Sequence, residues 1–143
     1  MTRTALLSFL LFLGAAENSR AADWFTVAGY PDDPSVDVVQ IDPKPVSTQD
    51  SEVVMKVRVS RAAPRTSAQG TVFRSFDGEA LIDCKRHYAY FVIARFYAEP
   101  GFRGTPFHTE TYEGREKRPM AFRGIAGNPS ERIITAACKT LTG

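Results

Sequence analysis

Residues 83–97, DCKRHYAYFVIARFY, constrain the fold more than any other stretch, because they join a cysteine to a long apolar run. A segment apolar on both sides, rich in aromatic and β-branched residues, reads as a strand in the middle of a sheet, covered on both faces. Simple alternation puts Tyr88, Tyr90, Val92, Ala94 and Phe96 on one face and His87, Ala89, Phe91, Ile93, Arg95 and Tyr97 on the other. A single helix can cover only one of these faces, so a partner subunit is the expected cover for the second.

The only other cysteine, Cys138, belongs to GNPSERIITAACKTL. Asn128 reads as the N-cap, Pro129 as the first helical residue and Glu131 as the third position of a capping box. Ile134, Cys138 and Leu141, flanked by Ile133 and Ala137, form an apolar stripe at helical spacing. Cys138 is therefore on the face that must be buried. Upstream, Ala80, Ile82 and Cys84 share one face of a strand and Leu81 and Asp83 the other, so a Cys84–Cys138 disulfide would seat the helix on the Ile82 side.

A disulfide implies an oxidising compartment, and the N-terminus agrees. Met1 and Arg3 precede the apolar run ALLSFLLFL, followed by small residues and AENSRAADW. This is the pattern of a secretory signal peptide, with cleavage expected after Ala21 and, as the alternative, after Ala16. The apolar run is shorter than the roughly 20 residues a membrane-spanning helix needs, and no cysteine stands near the cleavage site to be acylated. The expectation is residues 1–21 as signal peptide and residues 22–143 as a single periplasmic or secreted domain, with no transmembrane segment. Loss of Arg3, Glu17 and Arg20 lowers the net charge from +2 to +1. A nearly neutral domain lacks the basic field that nucleic acid requires, so nucleic acid is not expected as a partner.

The remaining pattern is that of an α+β domain with an antiparallel sheet. Residues 24–30 (WFTVAGY) form a first strand ending at Pro31, Asp32, Asp33 and Pro34; residues 36–41 form a second, stopped by Asp42, Pro43 and Pro45. Val53, Met55, Val57 and Val59 alternate with Glu52, Val54, Lys56 and Arg58, the period of a strand with one buried and one wetter face. Residues 60–70, polar with Pro64 and Gly70, read as a mobile loop. Residues 71–84 read as one strand with a bulge at Gly78 or, as the alternative, two short strands joined by a turn at Asp77 and Gly78. EPGFRG makes a hairpin connection, residues 105–112 return as a strand, and the charged EGREKRP follows.

Taken together, Trp24 at the opening, Ile41-Asp42 at a strand end, IDCKRHYAYFVIARFY, the GFRG turn and a capped helix closing on ITAAC resemble the surface-adhesin protein E family of Gram-negative bacteria. The resemblance implies a six-stranded antiparallel sheet with the C-terminal helix held to one face by the Cys84–Cys138 disulfide, and a tendency to form homodimers. It also implies binding of extracellular-matrix and serum glycoproteins. The chain departs from that pattern in having no acylatable cysteine and in carrying Phe122 where the family tends to have tryptophan.

Candidate ligand-binding residues are Lys85, Arg86, Tyr88, Arg95, Phe102 and Arg103, because cations interleaved with aromatic rings grip acidic protein segments or glycans through forked and stacking contacts. Tyr90, Arg115, Lys117 and Arg118 extend this basic and aromatic cast; a solvated sheet edge guarded by charge is its structural alternative. No metal or other cofactor is expected, since His87 and His108 lie on different strands without the close spacing of a zinc site. A triad of Ser75, His87 and Asp77 or Asp83 can be written, but neither a nucleophile elbow nor an oxyanion loop supports it. Asp42 and Asp83 read as turn-capping residues, and Trp24 as a core anchor, with a dimer contact as its alternative. The functional expectation is a non-enzymatic binding module; the alternatives are a periplasmic enzyme or enzyme inhibitor, or a structural envelope protein.

Overall fold

The computed structural model describes residues 22–113 and 118–142; the expected signal peptide, Arg115 and Lys117 lie outside them. Six strands follow across one antiparallel sheet in the order β1 (Phe25–Ala28), β2 (Val38–Ile41), β4 (Glu52–Thr66), β5 (Val72–Asp83), β6 (Tyr88–Tyr97) and β7 (His108–Thr111). Two short strands are added to them. β3 (Ser47–Gln49) pairs with β4, and β8 (Arg118–Pro119) pairs with β6. The helix α1 (Pro129–Lys139) packs on one face. The expected α+β architecture is present, with the Cys84–Cys138 disulfide and a Cα separation of 5.6 Å.

The alternation in β4 decides which face is the core. Val53, Met55, Val57 and Val59 are all buried, and opposite them in register stand Ile82, Ala80, Gly78 and Phe76 of β5. Ile133 and Ala137 of α1 are fully buried against this layer, with Ile134 beside them, while Cys138 and Leu141 are only partly buried. The stripe is thus centred on Ile133 and Ala137, one position round from the expected Ile134–Cys138–Leu141 line. Phe122 is buried edge-on to Phe91 and closes the core where the chain enters the helix.

Two irregularities change the expected layout. In β6, Glu79 of β5 pairs with Ile93 and Ala80 pairs with Phe91, so Val92 is an extra residue opposite that step. A bulge reverses the alternation beyond it. Ala89, Phe91, Ala94 and Phe96 consequently share the helix side, while Tyr88, Tyr90, Ile93, Arg95 and Tyr97 take the other, which corrects the two simple faces expected for this strand. β5 is one strand, as expected, but the extra residue sits in its neighbour rather than at Gly78.

The second irregularity lies where a loop was expected. β4 continues to Thr66, with pairing to β5 interrupted between Ser60 and Arg65 and resumed at Arg65 and Thr66. Asp37 accepts a hydrogen bond from the Ala62 amide at 2.9 Å, and Arg74 donates to the carbonyls of Arg61 and Ala62, both at 3.2 Å. Side chains thereby satisfy backbone groups that the ladder leaves unpaired. Only residues 67–70 form the turn, closed by a Gly70 amide bond to the Ser67 carbonyl at 2.9 Å.

Caps at the element ends follow the expected chemistry in part. Asp42 accepts from the Lys44 amide and Asp83 from the Arg86 amide, both at 3.0 Å, so both are turn-capping residues. The Asn128 side chain accepts from the Glu131 amide. Glu131 does not complete a capping box: its two carboxylate oxygens lie 2.8 Å from His87 Nε2, so the start of the helix is fastened to the β5–β6 turn. Among the described residues, no helix is long and apolar enough to cross a membrane.

Candidate binding face

The sheet face opposite α1 carries a polar row crossing all six principal strands. Thr26, Gln40, Arg58, Asp77, Arg95 and Thr109 are successive register partners from β1 to β7. Gln40 donates to Thr26 Oγ1 at 3.1 Å, Arg58 Nε donates to Gln40 Oε1 at 2.7 Å, and Arg95 Nε donates to Asp77 Oδ1 at 2.6 Å. Cross-strand neighbours on one face are the contacts that a register fixes most directly. The row therefore follows from the pairing that buries Val57 and Val59 on the other side.

Arg58 is the centre of this row. Its guanidinium lies 4.2 Å from the Trp24 ring centroid and 4.5 Å from that of Phe102, so two rings sandwich the cation. Such stacking is worth about 0.5–1 kcal/mol at an exposed site and more when desolvated. Burial lowers the Arg58 pKa from its ordinary value, and the charges of Asp77 and Tyr97 pull it the other way. Trp24 is consequently a half-buried lid on a cation, and not the core anchor expected from its position in the first strand.

Phe102 reaches this position because the β6–β7 connection folds back over the sheet. Ser60 and Ser75 are register partners on β4 and β5. Ser60 Oγ accepts from the Gly101 amide at 2.9 Å, and Ser75 Oγ accepts from the Phe102 amide at 3.1 Å while donating to the Glu99 carbonyl at 2.6 Å. Tyr97 packs edge-on to Phe102, and its hydroxyl donates to Asp77 Oδ2 at 2.6 Å. Burial first, and then the bond to Asp77, push the Tyr97 pKa up to about 12.

The candidate residues named from the sequence fall into two groups. Arg95 and Phe102 join the Arg58 cluster, and Arg103 lines a neighbouring cleft of about 210 Å³ with Asp32 and Asp33. Lys85, Arg86 and Tyr88 lie at the other end of β6, roughly 20 Å away at the rise of an extended strand. There Lys85 and Arg86 are exposed in the turn, and the Tyr88 and Tyr90 rings lie side by side, 6.3 Å apart. Arg58, Gln40, Asp77, Tyr97 and Trp24 were not among the candidates. The wetter side of the β4 alternation contained Arg58, but its stacking partners are 34 and 44 positions away in the chain and carry no local signal.

The remaining polar side chains of interest have structural roles. Ser75 is fully buried beneath the β6–β7 connection, whereas His87 pairs with Glu131 across the β5–β6 turn, so the two do not meet in a triad. Among the described residues, no group of three or more histidine, cysteine or acidic side chains is placed to hold a metal.

No curated protein and no solved structure matches the chain. A family model does: surface-adhesin protein E, matched over residues 24–139, a span that takes in every strand described above, the disulfide and the whole of α1. With that match over most of its length, the chain belongs to the surface-adhesin protein E family.

Proposed function

We propose that the protein is an exported, non-enzymatic binding module, residues 22–143 after loss of a signal peptide, whose uncovered sheet face docks a glycoprotein of the extracellular matrix or serum. Membership of an adhesin family supports a surface role without catalysis, and the disulfide fits an oxidising compartment. The observation that carries the reading is Arg58 held between Trp24 and Phe102 on the face that α1 leaves open. Arginine stacked on aromatic rings keeps its outer N–H groups for forked bonds to carboxylates or anionic glycans. Lys85 and Arg86 extend positive charge along the same sheet.

Binding to immobilised matrix and serum glycoproteins, followed by surface plasmon resonance, tests this reading. Lys85→Ala/Arg86→Ala should weaken retention and reduce its sensitivity to salt, and Trp24→Ala should accelerate dissociation. Unchanged retention of both variants at low salt would remove the proposal.

A homodimer through the same face is a second reading, favoured by the half-buried Leu81, Tyr90 and Ile93 and the exposed Tyr88. Light scattering on the wild type and on Tyr88→Arg tests it; a monomer in both cases would exclude it.

A further inference from the structure

On the helix side of the sheet, beyond the end of the core, the β4 irregularity opens a cleft of about 440 Å³. Arg61, Arg65 and Thr66 of β4, Ala68 of the following turn, Phe73 of β5, Arg118 and Pro119 of β8, and Ala121 and Arg123 before α1 line it. Among the described residues that line it, four are arginines and none is a carboxylate. Asp37 is the carboxylate nearest to Arg61, and it is already engaged by the Ala62 amide at 2.9 Å and by Arg61 Nε at 3.4 Å. Arg61 is buried, and its Nε has no hydrogen-bond partner of proper geometry.

The cleft is held open by its own framework. Arg61 Nη2 donates to the Arg123 carbonyl at 2.8 Å, joining β4 to the segment before α1. With the Gln69 amide oxygen turned towards it, Arg118 is held by Gln69, which in turn donates to Glu110 at 2.9 Å. Like charges gathered in a half-enclosed space repel one another unless an anion neutralises them.

We propose that this cleft binds a saccharide carrying sulfate or phosphate groups. Guanidinium forks match the oxygen geometry of both groups. The volume falls in the range of small-molecule sites, about 300–1,000 Å³, and leaves room for more than a bare ion. Pro119, Ala121 and Ala68 provide small apolar contacts of the kind a sugar ring uses, and Thr66 adds a hydroxyl. Phe73 is almost fully buried against Phe76 and Phe96, so no open aromatic face is offered to a planar base. The site lies on the opposite side of the sheet from the Arg58 row and stands independently of the function proposed for that row.

The full mature domain is titrated by calorimetry at low ionic strength with four probes: a sulfated heparin-derived hexasaccharide, the same oligosaccharide desulfated and N-acetylated, a glucosamine disaccharide bisphosphate, and inorganic phosphate. At least one of the sulfated and phosphorylated sugars should bind, and the desulfated sugar, which keeps only its uronate carboxylates, should not. Preference between the sulfated and phosphorylated sugars separates a matrix glycan from a glycolipid headgroup as the source. Arg65 and Arg123 are exposed, so Arg65→Ala/Arg123→Ala should fold normally and bind tenfold or more weakly, while Lys44→Ala, a change at an exposed cation outside the cleft, binds as the wild type does. Binding of inorganic phosphate alone, no binding of either the sulfated or the phosphorylated sugar, or equal binding by the Arg65→Ala/Arg123→Ala protein would each overturn the proposal.

Discussion

Gly78 lies so close beneath β6 that a Cβ placed on it would stand 2.1 Å from the carbonyl oxygen of Ile93 and 3.1 Å from Cα of Ala94. The bulge at Val92 and the glycine at position 78 are thus two halves of one device, since the backbone displaced by the extra residue occupies the space a side chain would need. Gly78→Ala should destabilise the domain by about 1–3 kcal/mol through overpacking. A urea midpoint equal to that of the wild type would show that β6 shifts to accommodate the methyl group at no cost.

The covalent tie between β5 and α1 should make an even larger contribution. Cys84 and Cys138 are 54 residues apart in sequence, and closing a loop of that size restricts the unfolded chain by about 4 kcal/mol in the chain-entropy model. Cys84→Ser/Cys138→Ser should therefore lose a large share of the stability of a domain of this size. The loss is read from the denaturation midpoint of the double variant, and a difference below about 1 kcal/mol would contradict the entropic account.

Asp37 compensates Arg61, a buried cation whose pKa is lowered by burial and, to a smaller extent, by neighbouring Arg65. Removing one partner of such a pair strands the other without compensation, at a cost of about 3 kcal/mol. Asp37→Ala should be destabilised accordingly, and Asp37→Ala/Arg61→Met should recover a substantial part of the loss. Failure of the second substitution to restore thermal stability would mean that Asp37 acts mainly through the Ala62 amide.

Much of this architecture was legible in the residues. The β4 alternation, the paired cysteines and the Asn128-Pro129 start placed the helix on the Ile82 side correctly. The faces of β6 were not legible beyond Val92, because nothing in YFVIA distinguishes an extra residue from a regular one; its only trace is a glycine on the neighbouring strand. Residues 61–66 looked like loop because Pro64 and the small residues around it break the period, whereas a carboxylate at position 37 and an arginine at position 74 supply the missing backbone partners. The binding face and the cleft both depend on register. Trp24, Arg58 and Phe102 converge only after five strands, β1, β2, β4, β5 and β6, have paired, and Arg61 meets Arg123 across 62 positions.

Tyr97 gives the fold an alkaline limit. Its pKa is raised to about 12, against about 10 in an unfolded chain, so the folded state holds the phenolic proton more tightly. Its contribution to stability is complete below about pH 10 and falls as pH rises through the folded value of about 12. Tyr112, raised by burial and by its bond to Glu110, acts in the same direction. In short incubations from pH 9 to 12, Tyr97→Phe should show a shallower decline in stability than the wild type. Superimposable slopes would show that the Asp77 bond does not set the limit.

Glu131 and Cys138 fasten both ends of α1 to the β5–β6 turn, one through His87 and the other through a covalent bond at Cys84. Tension applied to the chain beyond Lys139 would therefore not unwind the helix turn by turn. It would pass through sulfur directly into β5, a strand paired on both sides along most of its length, where many hydrogen bonds must shear together before any one yields. Load that reaches the helix from its C-terminal side would be borne by the sheet, with the helix carried along unloaded.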